Sequence, residues 1–560
     1  MGKKCPQCRV WCTDSASRCD CGYDFVSQRR HPLQSGSLPL WLKWALLGGA
    51  LVTAVAWVVA PMGSPVAWGM VVVFPAGLLE AVGLSGRGEL ESVFLAPIAW
   101  VLYVFLGWAL LASSQRRYTL AIFGVLCAML ALNVAGLYGW RLSSETLTGT
   151  KALLEFEKGS RRASVDFPFL AHAAMEPMNC VVQRTEAGCE VWNGEQMHTG
   201  DQFALAKLFG IAPEQVTIHT LYAGGSFGRR ASKDADYVRE AASIVLASGT
   251  KAPVKMVWLR EDDTKGGQYR PMFHHRLEAT LTPQGEVSAW RHRLVGQSIA
   301  AGSPFESAMV KNGVDALSVE GASTLPYAIP NLQVELHTPK DIGVPVLWWR
   351  SVGSTHTAYA TEAFLDVLAT EAKQDPVAWR LKMLEKHPRH AEVLRLVADK
   401  AGWSKPLAKG KKGERRGRGV ALHESFGTVV AQVAEVTVAR DGSFHVDRVV
   451  AAVDCGVAIN PDNIRAQVEG SVGFALSAAL HGEITLKDGV VEQGNFGDYA
   501  PIRIQEMPKV EVHIVPSAAK PSGIGEPAVP PVAPAVANAL AAATGRRAWR
   551  LPLQTAQFKA

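Results

Sequence analysis

The pattern of apolar and polar positions divides the chain in two. Between residues 40 and 140 apolar residues run almost unbroken through Leu40 to Val59, Val66 to Leu84, Val93 to Ala112 and Tyr118 to Trp140. Each stretch approaches the roughly 20 residues that a helix needs to cross a bilayer. The pattern predicts about four transmembrane helices over 40–140, with Trp41, Trp44, Trp100, Trp108 and Trp140 mainly toward their ends as interfacial anchors. The second stretch is the weakest, because it carries Glu80 and a central Pro75. Lys3, Lys4, Arg29 and Arg30 place the N-terminus on the cytoplasmic side. Four crossings then return the rest of the chain to that side, at odds with Arg116 and Arg117, which would face outward. The expectation is a multi-pass protein of the inner (cytoplasmic) membrane.

From Lys151 the pattern becomes one of short alternating runs and amphipathic segments separated by Gly and Pro. Glu435 to Asp454 reads as two strands joined at Asp441-Gly442, a hairpin signal. Thr361 to Lys373, Asn463 to Leu480 and Pro534 to Ala543 read as helices, the second announced by Asn460, Pro461 and Asp462. Strands and helices interleave without a regular βαβ beat, which predicts an α+β region over 151–560 rather than a doubly wound sheet.

Composition adds two points. The 560 residues carry a formal net charge of only +6, and the densest basic run, Lys405 to Gly419, is broken by Gly and Pro and has no interleaved aromatic residues. It reads as a solvated surface loop, so no nucleic-acid partner is expected. Of nine cysteines, five lie in the first 21 residues, and Cys127, Cys180, Cys189 and Cys455 are scattered, as in a reducing compartment. Cys5 and Cys8 form a CxxC knuckle, and Cys19 and Cys21 supply a second pair. Four thiolates on two tight turns can surround a zinc ion, so residues 1–27 are expected to be a small structural zinc ribbon; Cys12 could replace one ligand.

Two Gly-rich loops carry candidate chemistry. Gly224-Gly225-Ser226-Phe227-Gly228-Arg229-Arg230 lacks the Lys-Ser/Thr of a P-loop, and by itself reads best as a tight turn. Ser522-Gly523-Ile524-Gly525-Glu526 ends in a carboxylate ahead of an Ala-rich helix. By position Glu526 is a charge at a helix start or a general base, the former being favoured by the residues alone.

Taken together with other segments, these loops resemble something more specific. Phe169 to Asn179, Glu190-Val191-Trp192 with Gln196, GGSFGRR, Trp348 to Ser354, Gln467 to Gly470 and Gly523 to Glu526 occur in the order found in the xanthine dehydrogenase and aldehyde oxidase superfamily. They look most like its isoquinoline oxidoreductase branch. The resemblance implies a molybdopterin cofactor, of the cytosine dinucleotide form. It would be held by Gln196, Gly224, Gly225, Phe227, Gly228, Arg229, Arg350, Gln467, Gly523 and Gly525, with Glu526 as the catalytic base. It also implies oxidation of a small N-heteroaromatic or aldehyde substrate, with water as oxygen source. No cysteine set for an iron–sulfur cluster is present, so a small [2Fe–2S] subunit is the expected electron partner. His172 and the His274-His275 pair are read as structural. Two departures stand out. The branch has a longer N-terminal portion with a Gly-Gln-Gly segment, so another polypeptide is expected to supply that half. The zinc ribbon and membrane stretches have no place in the pattern, which leaves open a non-catalytic membrane protein carrying a truncated hydroxylase domain.

Overall fold

The computed structural model describes residues 160–339 and 342–559, with four two-residue strands nearer the N-terminus. Those strands pair antiparallel, Lys3–Lys4 with Trp11–Cys12 and Tyr23–Asp24 with Arg29–Arg30. Met1–Gly139 and Trp140–Ala560 are separate compact units. The expected zinc ligands Cys5, Cys8, Cys19 and Cys21 lie outside the described residues, as do the apolar stretches of 40–140.

The expectation of about four transmembrane helices, and with it a multi-pass inner-membrane location, is corrected: no helix among the described residues is long and apolar enough to cross a membrane. The two longest helices there show why. Pro461–Leu480 carries Asp462, Arg465 and Glu469, and Ser354–Glu371 carries Glu362 and Asp366. Such charges are costly at bilayer depth. Both helices instead contribute buried side chains to the protein's own core.

The second unit is built on three four-stranded sheets with one plan: two antiparallel pairings and one parallel edge strand. The first pairs Arg161–Phe167, Phe273–Leu281 and Val287–Gly296 antiparallel and adds Leu332–His337 in parallel. The second joins Val254–Val257, Asn179–Arg184 and Cys189–Asn193 antiparallel, then Val216–Thr220 in parallel. The third runs Arg415–Ser425, Thr428–Val438 and Phe444–Asp454 antiparallel, then Lys509–Ile514 in parallel. The hairpin foreseen at Asp441-Gly442 is present, with Gly442 in the left-handed region that such a turn requires. The three foreseen helices are observed as Ser354–Glu371, Pro461–Leu480 and Val532–Thr544.

Thr428–Val438 is buried at ten of its eleven positions, which explains its almost unbroken apolar sequence TVVAQVAEVTV. The neighbouring Arg415–Ser425 corrects the reading of the basic run, whose last residues form a strand and not a loop. The alternation Arg416-Gly417-Arg418-Gly419 is what lets the Ala-rich helix lie on it. A Cβ on Gly417 would stand 2.0 Å from the Ala539 carbonyl oxygen, and one on Gly419 would stand 2.1 Å from the Ala539 nitrogen. Between them Arg418 turns back to Glu435 at 3.0 Å and to the Gly402 carbonyl at 2.9 Å.

The helix Ser354–Glu371 packs into the largest core cluster with sheets one and three. Its buried Glu362 receives Arg380 Nε at 3.0 Å and Tyr327 Oη at 2.6 Å. This pair is closed on all sides, with Arg380 0% and Glu362 1% exposed. It fixes the helix, and so the turn at its N-terminal end, against the body of the unit. Cys180, Cys189 and Cys455 are free and buried.

Candidate active site

Five segments far apart in sequence meet at the N-terminal end of the helix Ser354–Glu371. The first is the loop after the strand Val216–Thr220. Gly224 is tied to Glu176 by its carbonyl, at 3.0 Å from the Glu176 N–H, and by its own N–H to the Glu176 carboxylate. Gly225 and Gly228 have φ of +94° and +105°, and Phe227 is also left-handed at +57°. A Cβ on Gly228 would lie 2.4 Å from the Trp348 carbonyl oxygen, so glycine permits the loop to close on the segment Trp348–Arg350. Ser226 Oγ donates to the side-chain oxygen of Gln196, which brings in the second segment.

Arg350 joins the remaining three. Its backbone N–H donates to Phe227 O at 3.0 Å. Its guanidinium donates from Nε to Gly525 O at 2.8 Å and from Nη2 to Gln467 Oε1 at 3.0 Å. The same group lies 5.7 Å from the ring centroids of both Phe227 and Phe474, which stack at 4.3 Å. Burial holds the Arg350 pKa below the usual arginine range, and the nearby Glu526 opposes that effect. Gln467 and Phe474 are seven residues apart, hence on one face of the helix Pro461–Leu480.

Glu526 is gripped at both ends by one residue. Its Oε2 accepts the Ser351 N–H at 2.6 Å, and its backbone carbonyl accepts Ser351 Oγ at 2.7 Å. Ser351 and the next residue, Val352, have φ of +78° and +49°. Left-handed backbone at non-glycine residues costs about 1–3 kcal/mol each, and is retained where surrounding contacts over-determine it. Glu320, which no sequence signal marked, accepts the Gly353 N–H at 2.8 Å and the Ser354 N–H at 3.3 Å from the other side of the turn. Burial pushes the Glu320 carboxyl up to about 7, and the Glu526 charge adds to the rise.

Of the residues foreseen for this site, Gln196, Gly224, Gly225, Phe227, Gly228, Arg350, Gln467, Gly523, Gly525 and Glu526 belong to this connected set. Gly523 enters through its carbonyl, which accepts Thr428 Oγ1 at 2.6 Å. Arg229 does not line it. It is 1% exposed and turns inward to Asp236 at 2.6 Å and toward Asp263 at 3.8 Å. Sequence reasoning missed Glu320, Thr428 and Phe474, of which only Phe474 had a usable signal, its two-turn spacing from Gln467. His172 is enclosed between the Gln268 and Trp348 carbonyls, and burial lowers it to about 4. His275 lies between His292 at 2.8 Å and His356 at 3.0 Å, all three fully buried.

This arrangement fits a large, polar, ring-bearing cofactor. Gly224, Gly523 and Gly525 are exposed, the Arg350 guanidinium and the Gln467 amide are joined, and a Cβ at Gly523 or Gly525 would meet nothing within 4 Å. That open space is what a cofactor approaching bare backbone requires.

Such a cradle, carried on mixed sheets and joined by an arginine fork, is suited to seat a cofactor. The matches to known proteins say which kind. Residues 151–384 and 334–508 each match a molybdopterin cofactor-binding domain family. Over 387 residues, 69% of this chain and 48% of the relative, it is 33% identical to the beta subunit of isoquinoline 1-oxidoreductase from Brevundimonas diminuta. A nicotinate dehydrogenase subunit of Pseudomonas putida is 27% identical over 70% of this chain and 34% of its own length. Among solved structures, quinoline 2-oxidoreductase from Pseudomonas putida 86 shares the fold with a TM-score of 0.62 at 13% identity, over 71% of this chain and 76% of that one. Across residues 151–508 the chain is thus similar to molybdopterin cofactor-binding domains, as found in these oxidoreductases. It spans about half the length, or less, of these curated relatives.

Proposed function

We propose that this chain is part of a molybdenum hydroxylase that oxidises small N-heteroaromatic compounds or aldehydes, with Glu526 as its base. The observation that carries the reading is the double grip of Ser351 on Glu526, beside the fork of Arg350 on Gln467 and Gly525. Gln196, the backbone of Gly224–Gly228, Arg350, Gln467, Gly523 and Gly525 would hold molybdopterin, in its cytosine dinucleotide form. When bound, the cofactor supplies the two-electron oxidation of an electron-poor carbon with water as oxygen source. Phe227 and Phe474 provide an apolar wall, and Arg350 adds a fixed positive charge beside them. With Oε2 held by Ser351, Glu526 takes the proton of the attacking water at Oε1. The isoquinoline-type relative supports a heteroaromatic substrate, and electrons would leave through a small [2Fe–2S] subunit.

Exposed apolar side chains border both Gly-rich loops: Met175, Leu221 and Tyr222 on one side, Phe426, Val457 and Ile459 on the other. With the partial coverage of the relatives, they support a further polypeptide segment completing the site. Upstream, the spacing of Cys5, Cys8, Cys19 and Cys21 supports one structural zinc ion, checked by a zinc-to-protein ratio near one.

Partial coverage also favours a second reading, a non-catalytic chain carrying a remnant domain. Molybdenum and cytosine dinucleotide content of the purified chain, alone and with any co-purifying iron–sulfur subunit, separates the two. A stable, molybdenum-free preparation under both conditions refutes the hydroxylase reading. In a loaded preparation, Glu526→Gln abolishes turnover and leaves molybdenum bound; retained turnover refutes the base assignment.

A further inference from the structure

The turn that grips Glu526 is itself an unfavourable piece of chain. Two successive non-glycine residues, one of them β-branched, are left-handed, and Ser351 is 0% exposed. Nothing in the local sequence holds such a turn; its contacts must. Arg350 N–H goes to Phe227 and Val352 N–H to Trp349 O at 2.6 Å. The other three N–H groups of the turn end on carboxylates: Ser351 on Glu526, and Gly353 and Ser354 together on one oxygen of Glu320. Successive N–H groups in this conformation form a concave anion-binding surface. The turn is therefore a cross-piece between two acids.

Glu320 reaches it by a specific fit. It follows the short helix Ala316–Val319, and its own carbonyl accepts Thr357 Oγ1 at 2.7 Å from the first turn of the helix Ser354–Glu371. A Cβ on Gly353 would lie 1.9 Å from the Leu317 carbonyl and 3.1 Å from Glu320 Cγ, so only glycine allows this approach. Two elements are thus docked at the one place where the turn has no side chain.

We propose that Glu320 is a positioning residue for Glu526: by holding the Gly353 and Ser354 N–H groups it keeps the strained turn in the one conformation that offers the Ser351 N–H and hydroxyl to Glu526. This rests on the reading of Glu526 as the base. Glu320 acts through the turn, its carboxylate being taken up by the Gly353 and Ser354 N–H groups.

Hydrogen exchange of the full chain, read on peptides covering 349–356 and 522–529, tests the link without any turnover. Glu320→Ala is expected to raise exchange about thirtyfold in both segments. Glu320→Gln, which keeps a neutral acceptor, is expected to raise it about fivefold in both. If the alanine variant does not fold, the paired rise in the glutamine variant carries the test. No rise, or a rise confined to 349–356, overturns the proposal. In a loaded preparation with isoquinoline as probe, Glu320→Ala lowers kcat at unchanged KM and Glu320→Gln recovers most of it. A change in KM alone also overturns it. Failure of the underlying reading has a different signature: Glu526→Gln would keep full turnover while the exchange coupling between the two segments persisted.

Discussion

Replacing Arg350 by lysine keeps a charge and removes a fork. In the native site the guanidinium makes two directed bonds, to Gly525 O at 2.8 Å and to Gln467 Oε1 at 3.0 Å, and stands over two rings. An ammonium on a flexible stem reaches one of those acceptors at a time. A hydrogen bond from a charged donor contributes about 1.5–3 kcal/mol, and a partly buried cation over an aromatic face about 1 kcal/mol. Allowing for one retained bond and a similar desolvation cost, Arg350→Lys loosens the loop 522–526 by about 2–4 kcal/mol. The consequence is local, because Thr428 and Gln432 touch the segment 522–529 but the farther part of their strand, Val433–Val438, is held by its sheet neighbours. Native-state hydrogen exchange is the assay. Amides of 522–529, including Val529 N–H on Glu526 O at 2.9 Å, should exchange at least about thirtyfold faster, at tenfold per 1.4 kcal/mol, while those of 433–438 hold. A change under about threefold at 522–529 would show that the fork does not hold the loop, and the cradle as described would be wrong.

Asp201 is buried with one unpartnered oxygen, and burial pushes its carboxyl up to about 8. Because that folded value lies above the unfolded one near 3.8, the unfolded chain ionises first and stability falls as pH rises from about 4 to about 8; Asp201→Asn should gain about 1–4 kcal/mol at pH 8 and little at pH 4, read by urea titration at both. Arg380→Met leaves the Glu362 carboxylate buried opposite an apolar stem and should cost about 3–5 kcal/mol, and adding Glu362→Leu in the same chain should return much of it in a double-mutant cycle. Gly419→Ala places a Cβ against the backbone of Val532–Thr544 and should lower the urea midpoint by the equivalent of about 1–3 kcal/mol or prevent folding, whereas Gly545→Ala, with open space around it, should cost less than about 1.5 kcal/mol through its left-handed φ alone.

Local rules made much of the described unit legible. Asn460 caps its helix, accepting from Asp462 and Asn463 N–H at 3.1 Å, and Asp375 does the same ahead of Pro376. Gly442 turns its hairpin because only a left-handed residue can. Motif order pointed to the loops around Gly224, Arg350, Gln467 and Glu526, and the structure draws these into one connected set, since a motif records which backbone must come close to which. What stayed hidden was decided by distant partners. Arg415–Gly419 reads as loop until the far helix carrying Ala539 is laid over its glycines. Arg229 reads as a ligand-facing charge until Asp236 and Asp263 turn it inward. Glu320 has no motif, because its role depends on where Gly353 lies. The apolar stretches of 40–140 prompted a membrane assignment from their length, and no helix among the described residues is long and apolar enough to cross a membrane.

The Arg350 fork joins residues 117 and 175 positions away, and Glu176 reaches Gly224 across 48. Contacts of such separation are the slowest to form, since loop closure must come before any of them is rewarded. The first sheet closes loops of similar length, pairing Arg161–Phe167 with Phe273–Leu281, so the cradle is complete only when the unit as a whole has folded. A chain stalled or nicked anywhere between Gln196 and Glu526 would keep much of its secondary structure and lose its cofactor seat. Loading must then follow folding, and the fraction of chains that accept the cofactor becomes a census of those that have finished.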